Sequence, residues 1–348
     1  MRVLVTGHHG YIGSVLAPLL RDAGHEVVGV DTRFYRGCDF GSEEDAIPSL
    51  DRDVRDLTSA ELEGFDAVVH LAALSNDPIG DLNPRLTYDI NLRATVDLAR
   101  AAKDAGVERF VFASSCSMYG AADGEELLDE EAPLRPLTPY AESKVRAEHA
   151  LRELAGEGFA AVSMRNATVY GVSPRLRLDV VLNNLVAWAH TTGAIRLESD
   201  GSSWRPLVHV RDLSRVALAL LEAPFELVCG EAYNVGSNEQ NYRIRDLAEI
   251  VRARMPACSV TFAPGASSDP RSYRVDFSKL ARAFPRMRFE WDAEQGVDEL
   301  AEAYAALGLT LDEFQTHGRF TRLACLKRLL SEGAIDDDLR WRAVPASG

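Results

Sequence analysis

The chain has 348 residues, 46% of them hydrophobic, enough to bury one large or two medium cores. With 53 acidic side chains against 38 basic ones, its net charge of −15 argues against nucleic acid or an anionic membrane as the main partner, and an anionic ligand would need arginines gathered locally. Five scattered cysteines, Cys38, Cys116, Cys229, Cys258 and Cys325, form no CxxC pair, so neither a disulfide framework nor a zinc site is expected, and a reducing cytoplasm is the simplest setting.

Residues 2–5, RVLV, read as a short buried strand and residues 11–23 as a helix. Between them TGHHGYIGS places Gly7, Gly10 and Gly13 at a strand-to-helix turn. At such a turn the helix's first N–H groups are unpaired and point outward with the positive end of its dipole, so a pyrophosphate could dock without a cationic side chain. Taken alone, the motif reads equally as a glycine-rich turn with no ligand. HEVVGVD follows as a second strand and ends at Asp31, about 20 residues on, where a carboxylate would accept hydrogen bonds from an adenosine ribose. That carboxylate repels a 2′-phosphate and favours NAD over NADP, although Arg33 and Arg36 stand close behind it. His8 and His9 sit in the turn, the other histidines are dispersed, and no metal is expected. Met1 leads straight into the first strand, so no signal peptide is expected, and no apolar run reaches the ~18 residues of a membrane span.

Strand-like runs go on alternating with helical ones: DAVVHLAA, RFVFASS and AAVSMRN, with helices near 84–105 and 138–156. The alternation predicts right-handed βαβ units, hence an α/β fold with a Rossmann-type doubly wound parallel sheet. Ligands bind beyond the C-terminal strand ends of such sheets, where Gly7, Asp31, Ala72 and Ser114 fall. After about residue 170 the pattern loosens, with elements near 179–191, 212–221, 233–235 and 244–254, and predicts a smaller mixed α/β domain. The expected division is 1–170 for a dinucleotide domain and 171–348 for a substrate domain, with part of 207–236 returning to the first because YNVG reads as one more strand. From residue 311 a final amphipathic helix is expected to run to Gly333.

The chemistry centres on PYAESK. Tyr140 and Lys144 are spaced i, i+4 at a helix start, so their heads can converge. A free phenol, with a pKa near ~10, is a poor base at neutral pH; a neighbouring ammonium and an oxidised nicotinamide would both lower it. Upstream, FASSCSMYG presents Ser115, whose hydroxyl could hold a substrate oxygen beside the phenol.

With these motifs the chain resembles the extended short-chain dehydrogenases/reductases of the NAD-dependent nucleotide-sugar epimerase/dehydratase family, across nearly its whole length. The matching pieces are TGHHGYIG, Asp31, the DV of RDVRD, HLAA, Asn91, SSCSMYG, YAESK, RPLVHVRD and YNVG. The resemblance implies Ser115, Tyr140 and Lys144 as catalytic residues. Around NAD it implies Gly7, Gly10, Tyr11, Ile12, Gly13 and Asp31, with Asp53 and Val54 at the adenine, and Leu71, Ala72, Ala73, Asn91 and Ser114 beside Tyr140 and Lys144. It implies Arg205 as a grip on the sugar nucleotide's phosphates, and Ser75, Asn166, Thr168, Arg175, Arg177, Asn183, Asn184, Arg271 and Tyr273 as further substrate contacts. Relatives pair helices 84–105 and 138–156 across a twofold axis, so a homodimer is expected, and Ala94, Leu98, Ala101 and Ala102 give the first a small apolar face.

Two departures bear on the reaction. The 4,6-dehydratases of this family carry Asp-Glu directly after the catalytic Ser/Thr, whereas this chain has Cys116 and Ser117, which disfavours elimination. In RNATVYG, Thr168 stands where many relatives have Asn, and the Asn moves to 166. The sequence therefore reads as an NAD-dependent epimerase of a nucleoside-diphosphate sugar, at C4 through a 4-keto intermediate. Its rivals are a ketoreductase or dehydratase of the same fold, or a dinucleotide-sensing protein without turnover.

Overall fold

A computed structural model describes residues 1–41, 47–121, 126–267, 269–315 and 318–342. Seven strands form one parallel sheet, in the order Ala232–Val235, Ala160–Asn166, Arg109–Ser115, Ala67–His70, Arg2–Thr6, Glu26–Asp31, Ser49–Asp51. Alternation along the strands decides what covers each face. Val3 and Val5 point into a core shared with Leu16 and Leu20 of helix Gly13–Asp22 and with Leu213 and Val216 of helix Val210–Glu222. Leu4, Val68, Phe110 and Phe112 point the other way, onto Leu98 and Ala102 of helix Ala94–Asp104 and Ala147 and Leu151 of helix Pro139–Leu154. This packing corrects one expectation: Ala94, Leu98 and Ala102 are spent inside the protomer, and the outer side of that helix carries Arg93, Asp97, Arg100 and Lys103.

Strand order reverses between Arg2–Thr6 and Ala67–His70, so the loops that follow them part and leave a crevice. Its far wall is a second core, in which helices Val181–Thr192, Ile244–Arg254 and Ala293–Leu307 pack through Leu182, Val186, Leu247, Val297 and Leu300. Beside it lies a three-stranded sheet of Asn241–Arg243, Trp204–His209 and Thr168–Tyr170. The helix at 293–307 was missed, although Asp292 and Gln295 form a reciprocal capping box at its start and Gly308 takes a left-handed φ of 71° at its end.

The single helix expected from 311 to 333 is two, Leu311–Gln315 and Arg322–Ser331. The break follows from Gly318, with φ 58°, and from Phe320, which turns into the second core. The later helix does not stay with the second core. Leu326 and Leu329 pack with Leu74, Ile79 and Ile90 of the first half.

Candidate active site

The crevice encloses a cavity of about 1440 Å³, larger than a site for one drug-sized ligand. Gly7, Gly10, Tyr11, Ile12, Gly13, Asp31, Asp53, Val54, Leu71, Ala72, Ala73, Ser75 and Ser114 line one part of it. Ser115, Tyr140, Lys144, Asn166, Thr168, Arg177, Asn184, Arg205, Arg271 and Tyr273 line the rest.

Gly7 has φ 72°, and a Cβ there would lie 2.8 Å from the Ala72 backbone nitrogen, so only glycine lets the two loops close on each other. Asp31 accepts from the N–H of Arg33 at 2.7 Å and of His9 at 3.1 Å. Arg33, the nearest candidate to answer a 2′-phosphate in the sequence, is instead paired with Asp51 at 2.5 Å. The cavity suits a dinucleotide: it has a helix N-terminus, a ribose-type carboxylate, and two buried polar atoms in its wall, Ser117 Oγ and Asn166 Oδ1, that no group among the described residues satisfies.

At the catalytic end, burial pushes the Tyr140 phenol up to about 12; the hydrogen bond with Ser115 pulls it down, Asp77 pushes it up and Arg177 pulls it down. Burial brings Lys144 down to about 7. Its Nζ donates to the Ala113 carbonyl at 2.7 Å and lies 6.0 Å from the centre of the Tyr140 ring. The lowering expected from an ammonium and an oxidised nicotinamide together is therefore opposed in the unliganded chain, where desolvation is the largest influence on both groups.

Three expected contacts stand behind the cavity. Asn91 is buried in a π-helical turn, Asp89–Arg93, where its side-chain amide accepts from Leu74 N–H at 2.8 Å and donates to Leu74 O at 3.1 Å, fixing the segment that lines the cavity. Asn183 accepts from Gly171 N–H at 3.0 Å and donates to Arg177 O at 2.9 Å. Arg175, expected at the substrate, is paired with Asp39 and donates to His9 O at 3.2 Å behind the Asp31 loop. Long-range neighbours chosen by the fold decide all three.

The sequence reading missed the carboxylates that face the arginines. Arg177 is paired with Asp179 at 2.8 Å. Asp269 is shared by Arg205 at 3.0 Å and Arg271 at 2.8 Å, and Arg271 reaches Asp77 at 2.8 Å. Asp77 also accepts from the Thr138 hydroxyl at 2.7 Å, and Thr138 caps the helix that carries Tyr140. A usable signal existed at one of them, since Asn76 before Asp-Pro is a helix N-cap.

Fold and site together define a dinucleotide-dependent Rossmann enzyme. The chain belongs to the NAD dependent epimerase/dehydratase family, whose model matches residues 3–236. It is 32% identical over 269 residues to a UDP-glucose 4-epimerase of Streptomyces lividans, covering 72% of this chain and 80% of that one. Similar solved structures include TunA, an NAD-dependent NDP-hexosamine 5,6-dehydratase, with TM-score 0.77 and 26% identity over 88% of this chain and 98% of that one. Another is MoeE5 in complex with UDP-glucuronic acid and NAD, with TM-score 0.76 and 27% identity over 88% and 99%.

Proposed function

We propose that the chain epimerises a nucleoside-diphosphate sugar at C4 through a 4-keto intermediate, with Ser115, Tyr140 and Lys144 as its catalytic residues. The observation that carries this over elimination lies directly after Ser115. Cys116 is turned into the core, its thiol donating to the Arg165 carbonyl at 3.1 Å and pushed up by burial, while Ser117 gives the cavity only a hydroxyl. Neither supplies the acid and base that loss of water needs.

Bound NAD would supply a hydride acceptor and donor, held by Gly7 to Gly13, Asp31, Asp53, Val54, Leu71 to Ala73 and Ser114. Tyr140 takes the proton of the sugar hydroxyl and later returns it, and Ser115 hydrogen-bonds the same oxygen. The phenol starts neutral, so a positive charge entering beside it favours the phenolate, and Lys144, near neutrality in its protonation, completes the proton path. Arg205 and Arg271 receive the diphosphate by exchanging their bonds to Asp269 and Asp77 for bonds to phosphate oxygens. Ser75, Asn166, Thr168, Arg177, Asn184 and Tyr273 surround the sugar and its nucleotide. A cofactor unit of 1–170, joined by part of 207–236, and a sugar-nucleotide unit from 171 onward divide the work, in a cytoplasmic setting. The homodimer is kept in this reading on family resemblance; light scattering at micromolar concentration tests it, and a monomer would remove it.

The test is a panel of UDP-, dTDP-, GDP-, CDP- and ADP-hexoses followed by product NMR. A C4 epimer formed without added NADH or NADPH is the expected result. A 4-keto-6-deoxy product would make the protein a dehydratase, and stoichiometric use of added reduced cofactor would make it a ketoreductase.

A further inference from the structure

Cys38 and Cys325 are 287 residues apart in the chain, yet their sulfurs are 3.6 Å apart. Cys38 lies in the loop after Asp31 and Cys325 on the helix Arg322–Ser331. Both are buried in one apolar patch with Leu74, Leu326 and Ile335, and the proposed chemistry uses neither. A disulfide has an S–S bond of about 2.05 Å, so closing this pair needs an approach of roughly 1.5 Å. The surroundings favour a thiolate on Cys325: the Cys38 thiol donates to it, Arg328 Nη2 lies 3.8 Å away and Arg322 adds a second positive charge, which together hold it below the usual thiol range. The Phe34 carbonyl accepts from the Cys325 thiol at 3.5 Å while that thiol is protonated, and so works against the two arginines and the Cys38 thiol.

What the pair joins gives the contact a consequence. Phe34 and Tyr35 from the loop and Arg322 from the helix line the cavity, with the Arg322 guanidinium 4.1 Å above the Tyr35 ring. Past the helix, Trp341 Nε1 donates to Thr32 O at 2.6 Å, and Arg340 lies 3.2 Å from Asp53. The C-terminal segment thus lies against the rim of the cavity where Asp31 and Asp53 stand. We propose that Cys38 and Cys325 are an oxidant-sensitive thiol pair, closed to a disulfide by hydrogen peroxide, that bolts this segment against the dinucleotide end of the cavity.

In the first step the Cys325 thiolate attacks one peroxide oxygen, the O–O bond breaks, and the departing hydroxide takes the Cys38 proton to become water. The Cys38 sulfur then displaces hydroxide from the Cys325 sulfenic acid, forming the S–S bond. The two sulfurs lose two electrons in all, and peroxide gains them. Peroxide reaches the buried pair through local opening of the segment, whose end is held by exposed ion pairs, Arg340 with Asp56 and Arg85 with Asp338.

The test treats the NAD-saturated protein with hydrogen peroxide, maps peptides by mass spectrometry without reduction, and follows exchange of bound NAD for isotopically labelled NAD. A peptide joining Cys38 to Cys325, two hydrogens lighter than its parts and released by dithiothreitol, is expected. Exchange should slow about tenfold or more, as expected when a cross-link suppresses opening of the segment. Cys38→Ser and Cys325→Ser should each abolish both effects and keep the reduced protein's exchange rate, while Cys229→Ser changes neither. Oxidation at other cysteines with no 38–325 peptide would overturn the proposal, as would the peptide with unchanged exchange. These wild-type outcomes stand even if a serine variant does not fold. The exchange readout rests on the cofactor placement proposed above; reduced protein that holds no NAD would overturn that placement and this proposal with it, whereas bound NAD with unaltered exchange overturns only this one.

Discussion

Two buried cations meet the helix Pro139–Leu154, and the protein treats them differently. Arg165 is held by Glu148 through bonds of 3.0 Å and 2.5 Å and donates to Tyr119 at 3.1 Å and to the Glu130 carbonyl at 2.8 Å, while Ser114 steadies Glu148 at 3.1 Å. One turn earlier on the helix, Lys144 has no carboxylate partner among the described residues; it donates to the Ala113 carbonyl, and the Phe112 ring lies 4.6 Å away. A charge enclosed by partners costs little once paired, whereas a charge buried without one is depressed in proton affinity and burdens the fold. The first arrangement belongs to the scaffold, and the second fits the proton-transfer role proposed for Lys144.

The largest effect should come from Lys144→Met. Turnover is expected to fall about 10²–10⁴-fold, the range for a group that acts on proton transfer, while the unliganded chain gains stability, read as a higher Tm. The sign with pH follows from the depressed value. Between about 7 and the unfolded value near ~10.4, the unfolded chain binds a proton that the folded chain lacks, so the wild type's stability rises with pH through that window. The variant's advantage is therefore greatest below pH 7 and shrinks towards pH 10. A wild-type Tm more stable than the variant's at pH 6 would break the contrast.

Glu148→Ala should do the reverse. It leaves the Arg165 charge buried and unpaired, so urea unfolding is expected to show a loss of about 3–5 kcal/mol, with turnover per folded molecule little changed. A third kind of charge is half-buried Asp31, held by two backbone N–H groups. Asp31→Ala should weaken NAD by about 1.5–3 kcal/mol, the range for hydrogen bonds to a charged group, as titration calorimetry would show. The smallest effect is expected from Arg340→Ala, which removes an exposed ion pair with Asp56 and a second one with Asp53, where Arg55 remains as partner; it should cost about 1 kcal/mol.

How far each feature was legible in the sequence follows from how local it is. The glycine turn, Asp31 at a strand end, and Tyr140 with Lys144 one helical turn apart are encoded within a few residues, and they line one cavity. Asn91, Asn183 and Arg175 were named from family resemblance and stand behind that cavity, because the partners that fix them, Leu74, Gly171 and Asp39, come from other segments. Periodicity showed that one side of the helix at 94–104 is apolar, but it could not say whether a sheet or a second protomer covers it. The contact between Cys38 and Cys325 has no local signature at all. The same holds for the path of the C-terminal segment, which leaves the second core and lies against the first half.

The central claim is that Tyr140, Ser115 and Lys144 serve a reversible oxidation at C4 and not an elimination. A sugar nucleotide carrying deuterium at C4, converted without added reduced cofactor and read by NMR and mass spectrometry, tests it most directly. The account predicts epimerised product with deuterium still on C4, and no turnover when Tyr140→Phe replaces the wild type. Deuterium found on C6, or conversion that stops unless NADPH is supplied, would contradict it.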